Sequence, residues 1–368
     1  MSTTAPTPVD PTMISTTFAH TTNLSSSTLL THILSLSDDW FASATNLLTP
    51  TPPIHRPGVF VSTGAWYDGW ETRRHNPQPY DFVVLRLGVS SGHIQGIEID
   101  TAFFKGNEAP AVSVEGCYRP QEAEDWERDI REGKKEPIRG AGMDFPEWNW
   151  AKLLPVSPCG PSARHVWALP PSVSTTPFTH IRLRMYPDGG IARLRLYGTA
   201  IPLPLPSSTT PSLPPLEELS AALNGGLAHS WSDQHFGVAE FLLMPGRGKD
   251  MGDGWETKRS RGKGHVDWVV VRLGLPGTVE KIVLDTKDFK GNFPRAWVVE
   301  GWVGDGEPRE GEGWVVILKE REAGPHREHV YEGGELEGVK GTVFEFVRLT
   351  IVPDGGVKRF RVFGRRRV

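Results

Sequence analysis

Cysteine is almost missing from this chain of 368 residues: only Cys117 and Cys159 occur, both in the first half. Two cysteines without counterparts elsewhere exclude a disulfide framework and a cysteine-based zinc site, and they match a reducing compartment. No apolar run approaches the ~18 residues of a membrane-spanning helix. The first 27 residues are rich in Ser, Thr and Pro and lack the basic start and apolar block of a secretory signal. The closing Arg-Arg-Arg-Val is not a peroxisomal tripeptide. A cytoplasmic protein with no membrane partner is therefore expected. Charge of one sign is also lacking, because 40 Lys and Arg against 44 Asp and Glu leave a net charge of −4. No field of that size draws nucleic acid, so an anionic ligand needs a local basic pocket. Helical periodicity is scarce, with Ser25–Leu34 and Leu216–Leu223 the best stretches. There is no Gly-x-Ser-x-Gly elbow, phosphate loop or dinucleotide fingerprint, and no diagnostic metal-ligand spacing. Gly246-Arg247-Gly248-Lys249 resembles a phosphate loop only superficially.

What the chain does contain is turn residues and aromatics, with 40 Gly, 32 Pro and 13 Trp. Apolar residues at 38% and charged residues at 23% suit a packed core. Strand patterns recur. Phe82–Leu87 and Trp268–Leu273 are rich in β-branched and aromatic residues, and Ile94–Ile99 and Ile191–Tyr197 alternate apolar with polar. Ile181–Met185 alternates too, with Arg182 and Arg184 on the opposite face. Many short strands with regular turns predict an all-β antiparallel sandwich or jelly roll.

The chain also repeats itself. DGWETRR at Asp68–Arg74 returns as DGWETKR at Asp253–Arg259, a shift of 253 − 68 = 185. DTAFFKGN at Asp100–Asn107 returns as DTKDFKGN at Asp285–Asn292 with the same shift. PDGG at Pro187–Gly190 returns at Pro353–Gly356 with a shift of 353 − 187 = 166, so the first copy carries 185 − 166 = 19 extra residues, expected within Arg119–Gly142. A period this long means tandem domains. The expected layout is a disordered tail over 1–27, a first repeat over 28–198, a Pro-rich semi-rigid linker over 199–218 and a second repeat over 219–368.

The motifs DGWET-[RK]-R and DT-FKGN, in register in both copies, followed by PDGG, resemble the allantoicase repeat. The similarity runs from about Leu36 to Gly364. It implies a galactose-binding-like jelly-roll β-sandwich in each copy, two in tandem. It also implies hydrolysis of allantoate to ureidoglycolate and urea, in allantoin degradation for nitrogen supply. The first copy departs from the pattern at His75–Asp81, and Trp40 stands where the second copy has His235. These departures suggest different roles for the two copies. The competing expectation, from another class, is a non-catalytic tandem carbohydrate-binding protein, because fold does not dictate function.

Allantoate carries one carboxylate and two ureido groups on a single carbon. Releasing urea needs a clamp for the carboxylate, partners for the ureido groups, and an acid or base. Under the resemblance, the catalytic candidates are Asp68, Glu71, Asp253, Glu256 and His265, the last beside Asp267. The substrate-binding candidates are Arg73, Arg74, Arg259, Lys105, Asn107, Lys290 and Asn292. Each has a plainer alternative. Asp-Gly can form a turn, Glu and Arg can pair with each other, Lys-Gly-Asn can simply turn, and Trp70 and Trp255 read as core plugs. PDGG reads as turn chemistry alone. No cofactor is evident, and a divalent metal is left open. The expected partners are allantoate and further copies of the chain in a homo-oligomer.

Overall fold

The computed structural model describes residues 5–120, 124–140, 142–205, 213–311 and 313–367. The chain divides into two units, Met1–Ile201 and Pro202–Val368. Both are built from antiparallel strands.

The main strands of the first unit are β1 (His32–Leu36), β2 (Asp81–Arg86), β3 (Ser91–Asp100), β4 (Ala111–Cys117), β5 (Ala151–Pro158), β6 (Arg164–Ala168), β7 (His180–Tyr186) and β8 (Arg193–Ile201). One sheet runs β1-β2-β7-β4-β5, and the other has β6-β3-β8 at its centre. The alternation in the sequence decides which side chains go between the sheets. Val83, Leu85, Ile181, Leu183, Val112 and Val114 face Ile97, Ile99, Leu194 and Leu196, all essentially inaccessible to solvent. Each such side chain contributes about 1.5–3 kcal/mol of transfer free energy. Phe82 and Val84 point the other way, yet they too are buried. The extra residues of the first copy cover that outer face. They include the helix Asp125–Arg131, whose Trp126 stacks on Phe145 of the following run Phe145, Trp148 and Trp150.

The second unit has β9 (Leu227–Trp231), β10 (Asp267–Asp285), β11 (Ala296–Trp302), β12 (Trp314–Glu322), β13 (Glu328–Glu332), β14 (Phe344–Val352) and β15 (Arg359–Arg366). Here one strand of 19 residues, β10, replaces the pair β2 and β3. Its first part pairs with β9 and β14, and its later part with β13 and β15. It therefore passes from one layer of the sandwich to the other, through a register shift between Arg272 and Gly277.

Four expectations need correction. Residues 5–27, expected as part of a disordered tail over 1–27, are ordered against the first unit. Thr7–Pro8 pairs with β6, Phe18 stacks on Tyr197 at 4.9 Å, and Leu24 is fully buried. Within this Ser-, Thr- and Pro-rich stretch, side chains act as caps, as Asp10 does for Thr12 N and Ser26 for Thr28 N. Second, Ser25–Leu34 is not a helix but a short 3₁₀ turn, Ser27–Leu29, running into β1. Leu30 at φ 67° breaks any helix there. Third, Leu216–Leu223 holds the short strand Glu217–Glu218 paired with β15, followed by a 3₁₀ turn. Fourth, the linker is shorter than 199–218, because residues 199–201 complete β8. The extended spacer expected over 206–212 lies outside the described residues.

Candidate functional site

The three repeated motifs are one packing unit. In the first repeat, Trp70–Glu71 forms a two-residue strand against Gly190–Ile191 of the PDGG turn. The second repeat does the same with Trp255–Glu256 and Gly356–Val357. Phe104 and Phe289, from the FKGN segments, lie across these pairs. A Cβ on Gly190 would fall 2.1 Å from the Phe104 ring, and one on Gly69 would fall 2.8 Å from it. On Gly356 the distance to Phe289 would be 2.0 Å. Only glycine admits the phenylalanine that ties the three segments together. Threonine adds a second tie: Gly189 N donates to Thr72 Oγ1 at 3.2 Å, and Gly355 N to Thr257 Oγ1 at 3.1 Å.

On this base the polar side chains converge. Asn107 Nδ2 donates to Glu71 Oε1 at 2.8 Å, and Asn292 Nδ2 to Glu256 Oε1 at 2.6 Å. Burial pushes the Glu71 carboxyl above its ordinary range, with Asn107 and Arg74 pulling back part of the way. Arg74 donates from Nη1 to Asp188 Oδ1 at 2.9 Å and from Nη2 to Gly106 O at 3.4 Å. Arg73 holds Asp38 through Nε and Nη2, at 2.9 and 2.7 Å. Both arginines of the first copy are thus neutralised.

The second copy differs. Lys258, Arg259 and Arg261 line a cavity of about 500 Å³ together with Asp233, His265 and Asp267. Among the described residues Arg259 forms no ion pair. Asp233 and Asp354 act through the backbone, accepting Lys258 N and Ser260 N at 2.7 Å each. His265 Nε2 lies 3.1 Å from Asp267 Oδ2, and Ser232 Oγ donates to Asp267 Oδ1 at 2.7 Å. Asp267 is buried while His265 is a third exposed. A buried carboxylate that orients an accessible imidazole is a device for moving a proton.

The allantoicase repeat profile matches residues 22–201 and again 217–367. The chain belongs to the allantoicase family. It is 51% identical over 351 residues to an allantoicase from Neurospora crassa, covering 95% of this chain and 92% of that one. It is 48% identical over 337 residues to an allantoicase from Saccharomyces cerevisiae, covering 90% of each. The crystal structure of allantoicase from Saccharomyces cerevisiae superposes with a TM-score of 0.79 at 40% identity, over 98% of this chain and 99% of that chain. Each of the two allantoicase repeats is thus an antiparallel β-sandwich.

The structure sorts the candidates of this allantoicase-family chain. It brings together Glu71, Asn107 and Arg74 in one copy, and Glu256 with Asn292 in the other. Arg259 and His265 share the cavity of the second copy. Asp68 and Asp253 stand apart as structural groups. Asp68 accepts Arg193 Nη2 at 2.7 Å and Ile54 N at 2.8 Å. Asp253 is ion-paired with the fully buried Lys358 and accepts Lys249 N at 2.5 Å. An arginine and a lysine out of solvent need these carboxylates for neutralisation, so both aspartates are engaged in ion pairs within the protein. Arg73 is likewise tied to Asp38. Lys105 and Lys290 are exposed loop residues. Four aspartates that hold the site loops escaped notice in the sequence: Asp38 and Asp233, with Asp188 and Asp354 of the PDGG turns. Their recurrence in both copies, beside the same motifs, was the available signal.

Proposed function

We propose that the chain hydrolyses allantoate at the loop end of its second repeat, with Arg259 as the carboxylate clamp and His265 as the group that moves the proton. Family membership makes the chain a hydrolase that degrades allantoate in purine catabolism. In that reaction one bond from the central carbon to a ureido nitrogen breaks. Water supplies a hydroxyl to the carbon and a proton to the departing nitrogen, giving ureidoglycolate and urea. The supporting observation is the contrast between the copies. Arg74 is neutralised by Asp188, whereas among the described residues Arg259 has no carboxylate partner and borders a cavity with Lys258 and Arg261. A guanidinium without a protein partner is free to take the substrate carboxylate in a bidentate grip. His265, oriented by Asp267, supplies or removes the proton. Glu256, fixed by Asn292, accepts a ureido N–H. No step is assigned to a metal or cofactor.

Steady-state kinetics on folded Arg259→Ala test this. Loss of a bidentate contact in a partly dry site costs about 2–4 kcal/mol, a fall in kcat/KM of roughly thirty- to a thousand-fold. Arg259→Lys recovers only part of it. A change within about threefold would assign the clamp elsewhere, first to Arg74, Lys105 or Lys290. The same proposal includes a cytoplasmic homo-oligomer. The hairpin Phe60–Ala65 supports the assembly, because Phe60 is 73% exposed between Val59 and Val61 at 42% and 44%. Phe60→Asp is expected to lower the sedimentation coefficient, and an unchanged value counts against this surface as the interface.

A further inference from the structure

The outer face of the sheet β9-β10-β14-β11-β12 in the second unit carries a feature that the allantoate site does not use. Its side chains are Trp268 and Val270 of β10, Phe346 and Arg348 of β14, Glu300 and Trp302 of β11, and Trp314 of β12. Phe346, Val270 and Trp302 form an apolar cluster, with Trp268 and Trp314 packed against it. Outer faces of such sandwiches are ordinarily polar, whereas here Val270, Trp302 and Phe346 are buried beneath the chain's own Trp268 and Trp314. Here a cavity of about 300 Å³ opens, with Trp268, Val270, Arg309, Glu310, Trp314 and Arg348 in its lining.

The first unit shows what fills this position when the chain fills it itself. Arg182 there corresponds to Arg348, each paired across the sheet with a glutamate, Glu115 or Glu300. Each guanidinium lies over a tryptophan, at 4.4 Å for Arg182 on Trp150 and 4.5 Å for Arg348 on Trp314. In the first unit a second carboxylate completes the shell. Arg182 Nη1 donates to Asp144 O at 2.7 Å and to Asp144 Oδ2 at 3.3 Å, with Phe145 and Trp148 stacked alongside. Among its described residues the second unit has no counterpart of the helix Asp125–Arg131. Arg348 contacts Glu300 through Nε at 2.8 Å and Nη2 at 2.6 Å, and among the described residues no second carboxylate hydrogen-bonds it, Glu310 sharing only the cavity lining. Arg182 is 4% exposed, whereas Arg348 is 24% exposed and reachable from the cavity.

We propose that this cavity is a binding site for a small carboxylic acid with a planar body, the carboxylate on Arg348 where Asp144 sits on Arg182, and the body against the Trp268 and Trp314 rings. The volume fits a ligand of this class, and a guanidinium flanked by indoles selects a planar anion over a neutral isostere.

The probe is phenylacetate, compared with phenylacetamide, titrated into the full chain by calorimetry. Phenylacetate is expected to bind at least tenfold more tightly than the amide. Arg348→Gln should weaken it at least tenfold, and Arg259→Ala should leave it unchanged, which separates this cavity from the proposed allantoate site. Should Arg348→Gln fail to fold, Glu300→Gln carries the test. It removes the competing charge and should tighten phenylacetate severalfold. Equal binding of acid and amide, or no response to Glu300→Gln, overturns the proposal. So does a Val270→Asp variant that dissociates an oligomer, because the face is then an interface between copies.

Discussion

Glu71 and Glu256 occupy the same register on the same two-residue strand, each held by an asparagine, yet their surroundings differ. Glu71 is 8% exposed, and burial raises its proton affinity. A carboxyl whose folded value is raised binds its proton more tightly in the native state. Its stabilisation is therefore complete at low pH and is lost as pH rises from the ordinary carboxylate value of about 4.3 through the raised one. Glu71→Gln should cancel this, so its melting temperature relative to the parent should climb across that window and then level. Thermal melts over a pH series check it, and a constant difference counts against a buried, proton-holding Glu71. On activity the two variants should part. Glu256→Gln is expected to lower kcat/KM at least tenfold, or about 1.4 kcal/mol, and Glu71→Gln by less than threefold. Equal losses in two folded variants would place catalysis in both repeats. At this scale the tryptophans were legible, since a large apolar ring between turn residues has one destination: Trp70 and Trp255 are fully buried. The aspartates of DGWET were not. The partner of Asp68 is Arg193, 125 residues away, and nothing local announces the pair.

Among the elements, strands were readable wherever alternation was strong. The expected Ile181–Met185 lies inside β7, with Arg182 and Arg184 on the outer face. Short 3₁₀ turns and the helix Asp125–Arg131 were not readable, because capping and tertiary cover decide them more than periodicity does. The DT turns give a test of matched elements. Asp100 accepts Ala102 N and Asp285 accepts Lys287 N, both at 2.8 Å. Burial raises Asp100. For Asp285 burial pushes upward as well, but Arg247, bonded at 2.8 Å through both Nε and Nη2, brings the net result below the ordinary range. The signs are opposite. The Asp100 contribution is lost as pH rises through its raised value. The Asp285 contribution is present above the ordinary aspartate value and lost as pH falls through the lowered one. Asp285→Asn is therefore expected to cost about 1–2 kcal/mol at neutral pH, charge-assisted bonds discounted for an arginine that is partly exposed. Asp100→Asn should be neutral or stabilising. Denaturant titrations of the two variants check the contrast, and equal effects would remove Arg247 from the explanation.

For the molecule as a whole, duplication was legible from two short words in register and a third that recurs after them, and so was the division into two compact units. The unequal clothing of the two outer sheet faces was not, because it depends on where 19 extra residues fold back rather than on any motif. Each unit has its own core and its own plug, so damage should stay local. Trp70→Ala and Trp255→Ala are each expected to cost about 3–5 kcal/mol. In calorimetry each should lower the transition of its own unit and leave a component near the parent temperature. A single transition displaced equally by both would show that the units melt together.

Phe104 and Phe289, wedged over glycines from two other segments, also bear on heredity. Neither ring can be enlarged, and no glycine beneath it can gain a methyl group, without a matching change elsewhere in the chain. Lineages cannot drift through these positions one at a time. Across descendants of the ancestral duplication, the phenylalanine and its glycines should be inherited as a linked set or lost as one. A copy that has shed the ring is the place to look for the first glycine replaced.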